Sequence, residues 1–150
     1  MKPGKKIAIF CGALLFACSD YTLNPQKEEI EPILEPNIQV IPAEINFGHL
    51  NAGAGESKSQ VITITNVGNE LLELEDVMLS SPDTTYAVTA LTQLNLKPDQ
   101  ATRVTVTYTP TTFETNTNSI LIGSNDPLDS IVTVPIDGAS SATKELTKLT

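Results

Sequence analysis

Residues 102–109 alternate strictly: Val104, Val106 and Tyr108 fall on one parity, Arg103, Thr105 and Thr107 on the other. Apolar residues that recur at every second position share a face only in a β-strand, where successive side chains point to opposite sides. Residues 60–65 repeat the pattern, with Ile62 and Ile64 opposed by Val61, Thr63 and Thr65. Further β-rich runs lie at 38–41, 45–47, 71–79, 86–90, 94–96, 118–124 and 131–137. Turn chemistry separates them: Asn66-Val67-Gly68-Asn69, Ser80-Ser81-Pro82-Asp83, Lys97-Pro98-Asp99-Gln100 and Asn125-Asp126-Pro127. Pro98 presets the second position of its turn. No helical apolar period appears between 38 and 138.

Seven to eight short strands in about 100 residues predict an all-β, immunoglobulin-like antiparallel β-sandwich. The alternation predicts that Ile62, Ile64, Val104, Val106, Tyr108, Ile120, Ile122, Val134 and Ile136 point inward. Asn66 shares the parity of Ile62 and Ile64, and a buried amide must be hydrogen-bonded, so it is expected to tie down its turn. One run breaks period. Leu72 and Leu74 share a face, while Val77 and Leu79 have the opposite parity. One extra residue at Glu75-Asp76, a β-bulge, returns both pairs to the core; the alternative is a strand that ends at Glu75 and a new one after it.

The first 18 residues have another character. Lys2, Lys5 and Lys6 precede an apolar run at 7–17, then Cys18 and an acidic segment. The order of charge, apolar run and small residue is that of a secretory signal. The run is too short for a spanning helix, which needs roughly 20 residues. Leu15-Phe16-Ala17-Cys18 resembles a bacterial lipobox, which implies cleavage between Ala17 and Cys18 and lipid on Cys18. Ordinary secretory cleavage after Ala17 is the alternative. Ser19, not aspartate, follows the cysteine, which favours outer-membrane over inner-membrane sorting by the enteric rule. The chain thus reads as a signal at 1–17, an acidic tether with Pro25, Pro32 and Pro36 at 18–37, a folded domain at 38–138 and a polar tail at 139–150.

Charge narrows the function. The chain has 9 basic and 18 acidic residues, and removal of the signal takes away three lysines and no acid. Such a chain has no basic patch to neutralise phosphates, which argues against nucleic acid and anionic lipid head groups as partners. Cys11 leaves with the signal and Cys18 takes the lipid, so the domain must be held by its apolar core without a disulfide.

The domain resembles the bacterial choice-of-anchor D family and the ASH and hydin-type immunoglobulin-like domains, relatives of major sperm protein and of periplasmic pilus chaperones. The residues that carry the resemblance are Val40-Ile41-Pro42 before Ile45-Asn46-Phe47-Gly48, then Ile62-Thr63-Ile64-Thr65-Asn66-Val67-Gly68 and Leu96-Lys97-Pro98-Asp99. Val104-Thr105-Val106-Thr107-Tyr108-Thr109-Pro110, Ser124-Asn125-Asp126-Pro127 and Val134-Pro135-Ile136-Asp137-Gly138 complete it. Asp99 stands where the family usually has glycine. The resemblance implies a non-catalytic module that makes protein contacts or spaces other domains. Asn66, Gly68, Pro98 and Pro110 take structural roles in this reading.

No catalytic constellation competes with it. His49, the only histidine, is expected in a solvent-facing loop and lacks partner ligands, so neither a metal site nor a cofactor is expected. Met78 falls on a strand. Asp126 and Asp129 could supply oxygens to calcium, but Asn and Asp at turns bond their own backbone, and that reading is preferred. Ser57 and Ser59 have no base in any motif, and Gly53 and Gly55 lack the lysine-serine pair of a phosphate loop. The expected function is a lipid-anchored envelope protein that presents one domain for protein interaction or a structural role, with sheet edges that could accept a partner strand. The alternatives are an enzyme with an unrecognised site, a carbohydrate or peptidoglycan binder, or the first module of a longer array. A carbohydrate surface needs exposed aromatics; Phe47 and Tyr108 are expected in the core, leaving Tyr86 and Phe113.

Overall fold

A computed structural model describes residues 34–141. The signal, Ala17 and Cys18, Ser19, most of the tether and the tail beyond Ser141 lie outside the described residues. Nine strands form two sheets. The first sheet holds β1 (Ile38–Ile41), β3 (Lys58–Asn66), β7 (Ala101–Tyr108) and β5 (Tyr86–Val88), in the order β1-β3-β7-β5. The second holds β2 (Ile45–Asn51), β9 (Ile131–Ser141), β8 (Thr115–Ser124), β4 (Leu72–Leu79) and β6 (Asn95–Leu96), in the order β2-β9-β8-β4-β6. The immunoglobulin-like β-sandwich expected from alternation is the fold observed.

The inward parity holds throughout. Ile62, Ile64, Val104, Val106, Tyr108, Ile120, Ile122, Val134 and Ile136 are all buried, and Ile45, Phe47, Leu72, Leu74 and Leu96 join them from the facing strands. Burying an Ile or Val side chain stabilises by about 1.5–3 kcal/mol. This contiguous cluster between the sheets is therefore the main source of stability for the described residues.

The period break in β4 is a bulge. Leu74 pairs with Ser124 and Val77 with Ile122, so Glu75 and Asp76 together oppose the single residue Gly123. Val77 and Leu79 thereby return to pack on the core.

Four details correct the expectation. The strands among the described residues number nine, not seven to eight. The sandwich is not wholly antiparallel: β2 runs parallel to β9, with Ile45 opposite Ile136 and Asn46 opposite Asp137. The chain crosses from one sheet to the other at Pro42, so β1 and β2 occupy different edges. Third, β9 continues to Ser141, past the expected boundary at 138. Ala139-Ser140-Ser141 looked like tail because they are small and polar, yet Ser140 is buried and its hydroxyl donates to the Thr112 and Glu114 carbonyls. Fourth, the tether's last residues belong to the fold: the Val67 amide donates to the Asn37 carbonyl at 2.8 Å and the Asn69 amide to the Glu35 carbonyl at 3.1 Å.

Candidate functional site

Asn66, Asp126 and Ser140, polar side chains buried in the sandwich, are committed to holding its turns and strand ends, whereas the buried Thr102 hydroxyl has no hydrogen-bond partner among the described residues. Asn66, 0 % exposed at the end of β3, is the clearest case. Its Nδ2 donates to the Glu70 carbonyl at 2.7 Å and to the Leu96 carbonyl at 2.9 Å. Its Oδ1 accepts the Gly68 amide at 3.0 Å and the Asn37 amide at 3.4 Å. Its backbone N–H reaches the Gln100 carbonyl and its carbonyl takes the Asp99 amide, both at 2.9 Å. One residue thus joins the segment before β1, the β3–β4 turn and the 97–100 turn.

Gly68 is required there by space: a Cβ would stand 2.4 Å from the Glu35 carbonyl oxygen. Pro98 is exposed and occupies the second position of the turn closed by the Gln100 amide on the Lys97 carbonyl at 3.0 Å. Asp99 follows it with φ 64°, the left-handed region. The departure from the family's glycine is therefore accommodated at some strain. Pro110 is buried two residues past the end of β7.

Asp126, 2 % exposed, latches the two sheets together. Its Oδ2 accepts the amide of Ile38, the first residue of β1, at 2.8 Å. Its Oδ1 accepts the amides of Leu128 at 2.8 Å and Asp129 at 3.2 Å in its own loop. Burial alone would push the carboxyl up, but these three backbone donors outweigh it and hold the group below the usual carboxylate range. Both oxygens are engaged by turn and strand amides, which is the turn reading of Asp126; Asp129 takes part through its backbone amide and carbonyl. No group of three or more His, Cys, Asp or Glu among the described residues is arranged to hold a metal.

His49 is exposed, as expected, but it lies on β2 opposite Ala139 and not in a loop. Sequence reading missed it because Gly48, at φ 75°, makes the run look like a turn when it is a bulged strand. Among the aromatics, Phe47, Tyr86 and Tyr108 form one buried cluster with ring centroids 5.0–5.9 Å apart. The Tyr86 hydroxyl donates to the Asn116 carbonyl at 2.7 Å, and the Tyr108 hydroxyl to Asn116 Oδ1 at 3.1 Å. Burial pushes the Tyr86 phenol far above its usual value, with Tyr108, Asp83 and Asp137 adding to it. Burial raises Tyr108 as well, against the opposing hydrogen bond of Ser140. Both phenols stay neutral donors at physiological pH. Only Phe113, 62 % exposed, remains on the surface among the described aromatics.

The sheet edges are poor templates. β5 has three residues, β6 two and β1 four, and β2 is bulged between Asn46 and His49. The ladder of β2 on β9 begins at Ile136, immediately after Pro135, whose nitrogen cannot donate. Short and bulged outer strands resist an added strand, although β6 covers β4 only at Leu72 and Glu73.

The family model for the HYDIN/CFA65/VesB-like Ig-like domain matches residues 36–139. The chain belongs to that family. A search of curated proteins returned no match. Among solved structures, it is similar to a protein of unknown function from Porphyromonas gingivalis W83, at 19 % identity and a TM-score of 0.60, over 69 % of this chain and 46 % of that one. It is also similar to the VesB protease of Vibrio cholerae, at 16 % identity and a TM-score of 0.51, over 70 % of this chain and 32 % of that one. SSP-19, an MSP-domain protein of Caenorhabditis elegans, is similar over 67 % of this chain and 98 % of its own, at 14 % identity and a TM-score of 0.50. At these identities the likeness concerns the fold. The chain spans less than half of the P. gingivalis protein and about a third of VesB.

Proposed function

We infer that this chain is a non-catalytic envelope protein, held to a membrane by lipid on Cys18, that presents its sandwich to a protein partner. The observation that carries the reading is the engagement of five interior polar residues, the buried Thr102 hydroxyl standing apart from them. Asn66, Asp126, Tyr86, Tyr108 and Ser140 have the chemistry to serve a reaction, and each is tied to backbone or to a neighbouring side chain that shapes the fold. Work is left to the surface. That surface is acidic, which fits a protein partner better than nucleic acid or anionic lipid. The partial coverage of VesB fits a module that also occurs joined to other domains, so a longer array is compatible with the same role. Ser19 favours outer-membrane sorting.

Short, blunted edges favour contact through side chains over strand addition. A carbohydrate platform needs several exposed aromatic rings, and Phe113 alone is a weak basis for one. The intact mass of the mature protein tests the anchor: the amino terminus is expected at Cys18 with added acyl mass, and Cys18→Ala is expected to release the protein or block processing. A soluble mature chain with an unmodified cysteine would overturn it. Turnover of a substrate by the purified sandwich would overturn the non-catalytic reading.

A further inference from the structure

The outer face of the second sheet carries one apolar hollow. Met78 on β4 pairs with Leu121 on β8, and Gly123, two residues along β8, pairs with Ile131 on β9. All four share the solvent face, where Met78 is 51 % and Ile131 65 % exposed. Gly123 has no side chain to fill the space between them, which leaves a dent of about 150 Å³ lined by Met78, Leu121, Gly123, Ile131, Glu75 and Asp76.

The bulge determines the charge at its rim. Two residues oppose one at this point, so the adjacent acids Glu75 and Asp76 are both exposed beside Gly123, where ordinary alternation would send one inward. Glu75 Oε2 lies 3.1 Å from the position a Gly123 Cβ would take. Asp76 Oδ1 accepts the Val77 amide at 2.7 Å, leaving its other oxygen open. The three cations of the described residues, Lys58, Lys97 and Arg103, lie on β3, the 97–100 turn and β7, none of them on the second sheet.

We propose that this hollow docks a lysine or arginine side chain of a protein partner. The aliphatic stem lies on Met78, Leu121 and Ile131 and the cationic head reaches Glu75 and Asp76. Long basic side chains combine an apolar stem with a charged tip, and this arrangement matches both parts. Charge complementarity selects the occupant. A second copy of this chain would bring the acidic rim against itself, and an anionic membrane or nucleic acid would be repelled. The bulge, a feature that re-aims side chains next to functional sites, is here the device that sets two carboxylates beside an apolar floor.

The proposal rests on the reading of the sandwich as a protein-binding module, and one experiment separates the two. A photoreactive benzoylphenylalanine is placed in the full-length protein in its native cell at Thr133, on the rim opposite Leu121, and in parallel at Val61, exposed on the other sheet. The expected result is a Thr133 adduct whose partner peptide carries Lys or Arg within a few residues of the crosslink. Its yield falls about fivefold in the Glu75→Gln, Asp76→Asn double variant, the size expected for two exposed charge contacts. The same fall is expected as salt rises, whereas Glu70→Gln, off the patch, leaves the yield unchanged. A partner adduct at Val61 alone keeps the module and overturns the hollow. Adducts at Thr133 that map to a non-basic segment or a second copy, or that ignore the double variant, overturn it too. Protein adducts at neither position overturn both readings.

Discussion

At the residue scale, Asn66 and Asp99 make opposite contributions to one corner. Asn66 uses both donors and its acceptor inside the protein, so the isosteric Asn66→Asp change sets a carboxylate oxygen against the Glu70 and Leu96 carbonyls. A buried group left without its partners costs about 1–3 kcal/mol, and more when charged. The variant is expected to lose at least about 3 kcal/mol in urea unfolding. A loss under 1 kcal/mol would remove Asn66 from its role as the hub of that corner. Asp99 is a non-glycine residue at φ 64°. Left-handed backbone costs L-residues roughly 1–2 kcal/mol, and glycine gives back part of the gain as chain entropy. Asp99→Gly is therefore expected to stabilise by about 0.5–1 kcal/mol, read as an upward shift in Tm. Both halves of this corner were open to sequence reasoning separately, Asn66 through its parity with Ile62 and Ile64 and Asp99 through the Lys97-Pro98-Asp99-Gln100 turn. The connection of Asn66 to Asn37 joins residues 29 apart along the chain, and no local pattern encodes that.

At the element scale, register is the testable quantity. Ile64 is fully buried on β3, and Thr63 beside it pairs with Arg103 on the outer face. Truncating Ile64 to Ala is expected to cost about 2–5 kcal/mol, and Thr63→Ala less than about 1 kcal/mol. Equal effects on Tm would contradict the register. Deleting Asp76 tests the bulge: it removes the extra residue and leaves Val77 and Leu79 in the parity of Leu72 and Leu74, with Met78 outward. The variant is expected to keep a cooperative thermal melt, whereas in a strand without a bulge the same deletion would slip every later side chain to the opposite face and abolish it. Strands with strong alternation, β3 and β7, were legible almost to their ends, and so was the bulge, because four leucine and valine positions disagreed in parity. The second half of β2 and the last residues of β9 were not. They pair as His49 with Ala139, Leu50 with Ser140 and Asn51 with Ser141, a set in which a lone leucine gives no apolar alternation, and parallel pairing of the second strand with the last leaves no turn between them to read. The hollow was half legible for the same reason. Glu75, Asp76 and Met78 are neighbours in sequence, whereas Gly123 and Ile131 reach them only through the pairing of β4, β8 and β9.

At the scale of the whole molecule, stability against pH follows from groups at opposite ends of the titration range. Asp126 has a depressed carboxyl in the folded protein. Its contribution is therefore fully present above the unfolded value of about 3.9 and lost as pH falls through the lower, folded one. Tyr86 is raised, chiefly by burial. Its contribution is present below the unfolded value of about 10 and fades as pH rises above it. Between these limits the acidic surface acts in the other direction. Exposed carboxylates repel one another at neutral pH, so partial protonation or added salt relieves the compact state. The melting temperature is expected to rise modestly from pH 7 towards about 5, to fall below about 4 as the latch between Ile38 and the 126–129 loop is protonated, and to fall again above about 10. Asp126→Asn identifies the acid limb. The variant starts lower, because three amides lose a charged acceptor and at least one of them meets an NH2 donor instead, and it should lack the part of the acid-side fall that belongs to Asp126. Thermal melts of both proteins between pH 2 and 11 decide the matter: parallel curves below pH 4 would show that the acid limb comes from the surface carboxylates and not from the latch between the sheets.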